Sequence, residues 1–430
     1  MTQPPAYRAV RPNTPVAPFG SPLATTTFID PSAHLLNGNH ILVGQKSFIA
    51  PYVTLNAKSG FIKIGSGSNV LDNATIIATP NPVRGQPTTS VLIGNQVSIG
   101  YGATILGASQ ISGYDLAARP TGVGANALID NAVVSPGAIV GELARVGPGV
   151  VVPAGMYVLP GANVTTTAEA ANPALGKVEP IPASVAKNLS TTLTRETALA
   201  LGYTYLYQGN SATGANSGVP PSVTGVYNGS LAPVTGASQE PGAATSTVAT
   251  GINFEPTKPT GPKFIGPHRP SVEGSLYNFK ARVTGDVRFN AQAIQVQHAL
   301  GRSNSIRGDQ GQPIKFASAP VTGSYVTITS RNAGVTISGT TTTVTGALSI
   351  GTNFVAGQGV VVQGGGSNPL YTFGDNVTID PYAVIGSSSI GANATIGARS
   401  YISGSTIAAN AVIPPGTILI DNVVVGQVQW

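Results

Sequence analysis

Four histidines, His34, His40, His268 and His298, are the side chains of this 430-residue sequence best suited to hold a metal or pass a proton near neutral pH. Only His34 and His40 share a short spacing, six residues. That spacing would bring both towards one ion only if the chain repeated every six residues, and no third ligand follows them. Surface or cap positions are therefore expected, with no metal and no other cofactor. Cysteine is absent, which removes disulfides, thiolate nucleophiles and Cys-ligated metals together. The glycine run at Gln363–Asn368 (QGGGSN) opens no helix and reads as a turn, not a phosphate cradle. Arg307 and Asp309, in SIRGDQGQPIKF (Ser305–Phe316), form a compact charged pair in a chain that uses charge sparingly.

Charged residues make up 9% of the chain, against about 25% in an ordinary soluble domain. Thr, Ser, Asn, Gln and Gly must therefore cover most of the surface. Such surfaces suit proteins packed into assemblies or exposed outside cells. The 22 basic and 16 acidic residues give +6, without a basic stripe interleaved with aromatics, so nucleic-acid binding is not expected. The opening MTQPPAYRAV lacks the apolar stretch of a secretory signal. No segment approaches the roughly 20 apolar residues of a membrane span. The expected compartment is the cytoplasm, with the cell surface or extracellular space as the alternative. The length exceeds what one core supports, so at least two domains are expected.

What must position these side chains is a repeat. Val43, Ile49 and Leu55 fall six apart, as do Ile64, Val70 and Ile76, then Ile93, Ile99, Ile105 and Ile111. The longest series is Val134, Val140, Val146, Val152, Val158 and Val164. Six residues fit neither an α-helix nor a long strand. They fit a triangular coil in which each short side contributes one inward aliphatic, stacked on its neighbours at about 4.8 Å. Gly often follows the inward residue (Gly44, Gly65, Gly94, Gly100, Gly124), which would relieve corner crowding and permit φ > 0. The period returns at Ile350, Ala356 and Val362, at Phe373, Ile379 and Ile385, and at Ile390, Ile396 and Ile402, after a weak start at Val283 and Phe289. Ala183–Leu201 has apolar residues near helical spacing, with Gly202 as a stop, and is expected to form one amphipathic helix that caps the first lobe.

The fold class is thus all-β: two parallel β-helix lobes of hexapeptide type, one amphipathic helix after the first lobe and a long irregular linker. An extended arm takes up 1–27 and the first lobe with its helix 28–202. A Pro/Gly/Ser/Thr-rich segment follows at 203–276, either a strap with Tyr203, Tyr205, Tyr207, Phe254 and Phe264 as candidate anchors or a disordered linker, and the second lobe occupies 277–430.

Over roughly residues 28–202 the sequence resembles the gamma-class carbonic anhydrases, on IGSGSNVLDNATII (Ile64–Ile77), VLIGNQVSIGYGATILGA (Val91–Ala108) and the run Val123–Val164. The resemblance implies left-handed coils, trimers and three imidazoles from two adjacent subunits around an ion whose bound water is the nucleophile. Asn69 and Asp72 match the family's N-x-x-D pair. Ile77, Tyr101 and Leu106 stand where its three His ligands would be, and none of them can hold zinc. The family's Arg-x-Asp motif, which supports its subunit interface, is missing before Ile64 but matches Arg307 and Asp309 in the second lobe. There Gln358 and Gln363 stand at the two clustered His positions, and the first ligand position falls near Thr327–Thr329.

No general base for acyl transfer is evident in either repeat run. The expectation is therefore a protein that is not an enzyme: a gamma-carbonic-anhydrase-like scaffold, its first lobe most like the carbonic-anhydrase-like domain of the carboxysome scaffold. It is expected to form homotrimers and to join other subunits of a larger assembly. A surface or filament-forming structural protein, and a hexapeptide-repeat enzyme with a site between subunits, are the alternatives.

Overall fold

The computed structural model describes residues 27–30, 32–79, 90–114, 119–212, 281–285, 287–291, 293–310, 314–331, 335–338, 341–344, 347–364 and 370–430. The expected arm, apart from Thr27, and most of the expected linker lie outside these residues.

In the first lobe the period of six becomes three sheets of eight, seven and six strands, parallel except for the last strand of the eight. One turn of the coil visits each sheet once: Val43 lies in the six-stranded sheet, Ile49 in the eight-stranded and Leu55 in the seven-stranded. Register then stacks like on like. Val43, Ile64, Ile93, Ile111, Val134 and Val152 form one inward column. Ile49, Val70, Ile99, Val123, Val140 and Val158 form the second. Leu55, Ile76, Ile105, Ile129, Val146 and Val164 form the third. All are buried, and burying each stabilises the coil by about 1.5–3 kcal/mol. The stack is a left-handed parallel β-helix.

The glycines after the inward residues serve close approach, not positive φ. A Cβ on Gly65 would lie 2.5 Å from the carbonyl carbon of Gly94, and one on Gly100 2.6 Å from that of Gly124. The left-handed backbone falls two residues later, at Lys46, Gly67, Gln96, Gly102 and Asn126. The expectation of φ > 0 at the glycines themselves is thus corrected: crowding between successive coils, not torsion, selects the missing side chain.

The C-terminal end of this lobe is closed by helix α1 (Thr167–Ala171) and by a strand, Val178–Pro180, antiparallel to Met156–Val158. Helix α1 starts in a capping box, Thr166 with Glu169, and buries Ala170. Helix α2 spans Ala183–Ala212 and lies along the coil, with the Leu189 side chain against Gly122 in the eight-stranded sheet. The outer row of that sheet, Phe48, Asn69, Ser98, Ile139 and Tyr157, is buried. Two expectations are corrected here. The cap is the segment before α2, and Gly202 does not end the helix, because one interior glycine costs only about 1 kcal/mol.

The second lobe has parallel sheets of eight, six and five strands. Its inward columns include Ile350, Phe373, Ile390 and Ile407, and Ile328, Val362, Ile385, Ile402 and Leu419. At its start, where Phe289 stacks on Phe316 with centroids 4.9 Å apart, helix α3 (Ala293–Ala299) takes the place of one short side. The period of six did not announce it; Val296 within it and Leu300 just after it are buried. The irregular Thr-rich stretch contains an antiparallel excursion, Val335–Ser338 with Thr341–Val344.

The chain divides into two compact units, one holding Tyr205–Gly426 and the other Val10–Thr204 with Gln427–Trp430. Within the latter unit the Trp430 indole N–H donates to the Leu143 carbonyl at 2.6 Å. Gln429 N donates to the Gly161 carbonyl at 2.9 Å, and Asn163 N donates to Gln429 Oε1 at 3.0 Å.

Candidate functional site

In the first lobe, Ile77 and Leu106 are register partners on adjacent strands of the seven-stranded sheet. Both are half-buried on its outer face. Their row continues through Asn56 and Leu36 in one direction and Asp130 in the other. Beside it runs a second outer row, His34, Thr54, Thr75, Thr104, Leu128, Arg145 and Asn163. Tyr101 is not with them. It sits in the turn that precedes Thr104–Leu106, at the opposite edge of the sheet, and is 1% exposed. Asn69 is buried on the eight-stranded sheet, where its Oδ1 accepts from Ser98 Oγ at 2.7 Å. Asp72 is buried in the following turn, and its carbonyl accepts from Gly102 N at 2.9 Å.

In the second lobe, Arg307, Thr329 and Gln363 form one outer row across three neighbouring strands of the eight-stranded sheet. Arg307 is 1% exposed and Thr329 is buried, while Gln363 is half-buried. Arg307 is therefore no solvated corner residue. Asp309 shares its strand, and the Asp309 side chain lies outside the described residues. Gln358 is separate from Gln363: it occupies a corner, where its Nε2 donates to the Tyr382 hydroxyl at 2.9 Å. Sequence spacing therefore linked two glutamines that the coil sets apart, and it overlooked Thr329 as the residue between Arg307 and Gln363. Stacking by coil, not distance along the chain, makes those three neighbours.

His34 heads the exposed outer row, and His40 Nδ1 lies 2.8 Å from the Gly60 carbonyl oxygen. His298 is in α3, and His268 lies outside the described residues. Among the described residues no three His, Asp or Glu side chains stand together as a metal site. No described helix is long and apolar enough to cross a membrane. The cap of the first lobe holds an ion pair. Lys177 Nζ donates to Glu169 Oε1 at 2.6 Å, and Glu169 Oε2 accepts from Thr165 N at 2.7 Å. The Lys177 hydrogen bond, helped by that backbone donor, lowers the Glu169 carboxyl from 4.5 to about 2.

The pattern of the bacterial transferase hexapeptide (six repeats) matches residues 372–404, within the second lobe. No curated protein matches. Among solved structures, a hexapeptide transferase family protein from Anaplasma phagocytophilum is 19% identical, over 41% of this chain and 91% of that one, with a TM-score of 0.22. A Bacillus cereus protein assigned as an acetyltransferase is 18% identical, over 42% and 91%, also at 0.22. The repeat at 372–404, which is of the transferase type, overturns the expectation that the chain is not an enzyme. Missing imidazoles argue against one kind of zinc centre only. They do not bear on a transfer site that uses other groups or forms between chains. The second lobe carries the bacterial transferase hexapeptide repeat at 372–404.

Proposed function

We propose that the chain is an assembly-forming structural protein built from tandem gamma-carbonic-anhydrase-like coils, which pack side by side into homo-oligomers, three chains favoured, within a larger assembly. The outer face of the seven-stranded sheet carries this reading. Leu36, Ile77, Leu106 and Leu128 project there with threonines and Asn56 between them, and Leu36 is 49% exposed. Within these two rows the full charges, Asp130 and Arg145, lie towards the C-terminal strands, with His34 at the other end. A flat, apolar, weakly charged face is what a second coil can cover without burying unpaired charge.

Sedimentation of the purified chain tests the reading. A particle of three 43.3 kDa chains is expected, reduced to monomers by Ile77→Glu with Leu106→Glu at unchanged circular dichroism. A monomer across the whole concentration range would sink it.

A second reading, a group transferase with its site between chains, is favoured by the transferase repeat at 372–404. Thiol release from acetyl-coenzyme A in the presence of amine or hydroxyl acceptors, at a rate proportional to protein, would select that reading.

A further inference from the structure

The seven-stranded sheet of the first lobe ends on the strand Asn163–Val164. The outer edge of a terminal strand presents backbone groups that must be met or covered. Here side chains meet them. Lys177 Nζ donates to the Asn163 carbonyl at 2.6 Å, and Asn163 N donates to Gln429 Oε1 at 3.0 Å. The residues around Gln429 then cross two left-handed corners of successive coils, Gly161 with φ of 70° and Leu143 with φ of 56°. Gln429 N donates to the Gly161 carbonyl at 2.9 Å, and the Trp430 indole N–H to the Leu143 carbonyl at 2.6 Å. Gln427–Trp430 is thus part of the first lobe's compact unit, although Tyr205–Gly426 is not.

The hold is light. Gln427 and Gln429 are exposed, and Val428 and Trp430 are half-buried. Val423, Val424 and Val425, which lead into the segment, are 59%, 62% and 58% exposed, so redirecting them uncovers no core. The same segment from another copy would make the same contacts on the receiving lobe, and exchange then costs only association. Chains already held side by side have that association in place, because their effective concentration is high. The position of the seat favours exchange as well. Asn163 is the last member of the outer row that begins at His34, on the face assigned above to side-by-side packing. No charged side chain lies between Asn422 and Trp430, so two copies meet there without repulsion between like charges.

We propose that Gln427–Trp430 is an exchangeable strap, which in the assembled protein is seated on the first lobe of a second copy and locks neighbouring chains together. The seat is the Leu143, Gly161 and Asn163 edge, and the occupant is the segment that fills it within one chain. This inference rests on the side-by-side reading given above.

The chain has no cysteine, so an introduced pair reports without background. Asn163→Cys with Gln429→Cys in one full-length chain is oxidised with diamide and separated by mass without reductant. Covalent species of two or more chains are expected, returning to single chains on reduction. Trp430→Ala, which removes the indole donor, should lower their yield about fivefold. Gln110→Cys in place of Asn163→Cys is the control for random collision, since Gln110 is exposed on another sheet, and its linked species should be lost. Disulfides confined to single chains overturn the exchange, as does equal linking in the Gln110 control or a yield unchanged by Trp430→Ala. Sedimentation of the unoxidised chain separates the two failures. Oligomers whose disulfides stay within single chains sink the exchange alone, whereas monomers sink the side-by-side reading with it.

Discussion

The Asn376 amide donates from Nδ2 to Oδ1 of Asn393, one coil further on, at 2.8 Å. Asn353 donates to Asn376 at 2.9 Å, and Asn393 to Asn410 at 3.0 Å, so four amides form a ladder up one corner of the second lobe. All four residues are left-handed, with φ between 55° and 61°. One residue type thus meets two needs at each turn, the strained backbone and the link to the next coil. Asn393→Ala should add about 1–2 kcal/mol of backbone strain to the loss of both amide bonds. Asn393→Gly relieves the backbone and should isolate the cost of those bonds, about 0.5–1.5 kcal/mol each. Urea denaturation of both variants separates the two effects.

Gly65→Ala should cost about 1–3 kcal/mol through overpacking, since its Cβ would press on the backbone of Gly94 at 2.5 Å. Gly67→Asn should be far milder, because φ there is 66° and its Cβ would meet only the Gln96 side chain, at 3.3 Å. Equal losses in thermal denaturation would mean that coil spacing relaxes locally.

Glu169 is held at about 2 chiefly by its hydrogen bond to Lys177. A carboxyl lowered in the folded state stabilises the fold above its unfolded pKa, and that stability is lost as pH falls through the folded value. The cap should therefore lose about 1–2 kcal/mol between roughly pH 4.5 and pH 2, a modest figure because the pair lies near the surface. In Glu169→Gln this part of the pH dependence should vanish while the rest of the acid-unfolding curve stays.

Arg307, 1% exposed, should tolerate no truncation. Arg307→Ala is expected to cost about 2–5 kcal/mol, the usual range for emptying a fully buried site of a large side chain. Arg307→Lys should rescue poorly, because a lysine cannot reproduce the planar fork. An unchanged denaturation midpoint in the alanine variant would show that the guanidinium contributes nothing at this position.

Histidines at Ile77 and Leu106 test the family resemblance directly. The two positions are register partners, about 4.8 Å apart, so Ile77→His with Leu106→His should bind cobalt or zinc weakly in each chain. Adding Tyr101→His should strengthen binding only when chains associate, since Tyr101 lies at the other edge of the sheet. Cobalt absorption spectra across protein concentration would show this. Equal affinity at all concentrations would place the third ligand within one chain.

The spacing of aliphatics alone determined that both lobes are triangular coils, and it determined which residues point inward. Val43, Ile49 and Leu55 went to three different sheets, because a period of six leaves no other way to bury all three. Tertiary structure decided what stacking brings together. Arg307, Thr329 and Gln363 became neighbours because coils of unequal length, one enlarged by the Val335–Val344 excursion, set which residues share a row. Helix α3 and the length of α2 escaped the sequence reading for a related reason. One interior glycine, or one side of a coil turned helical, alters local propensity by only about 1 kcal/mol, too little to be read from the sequence.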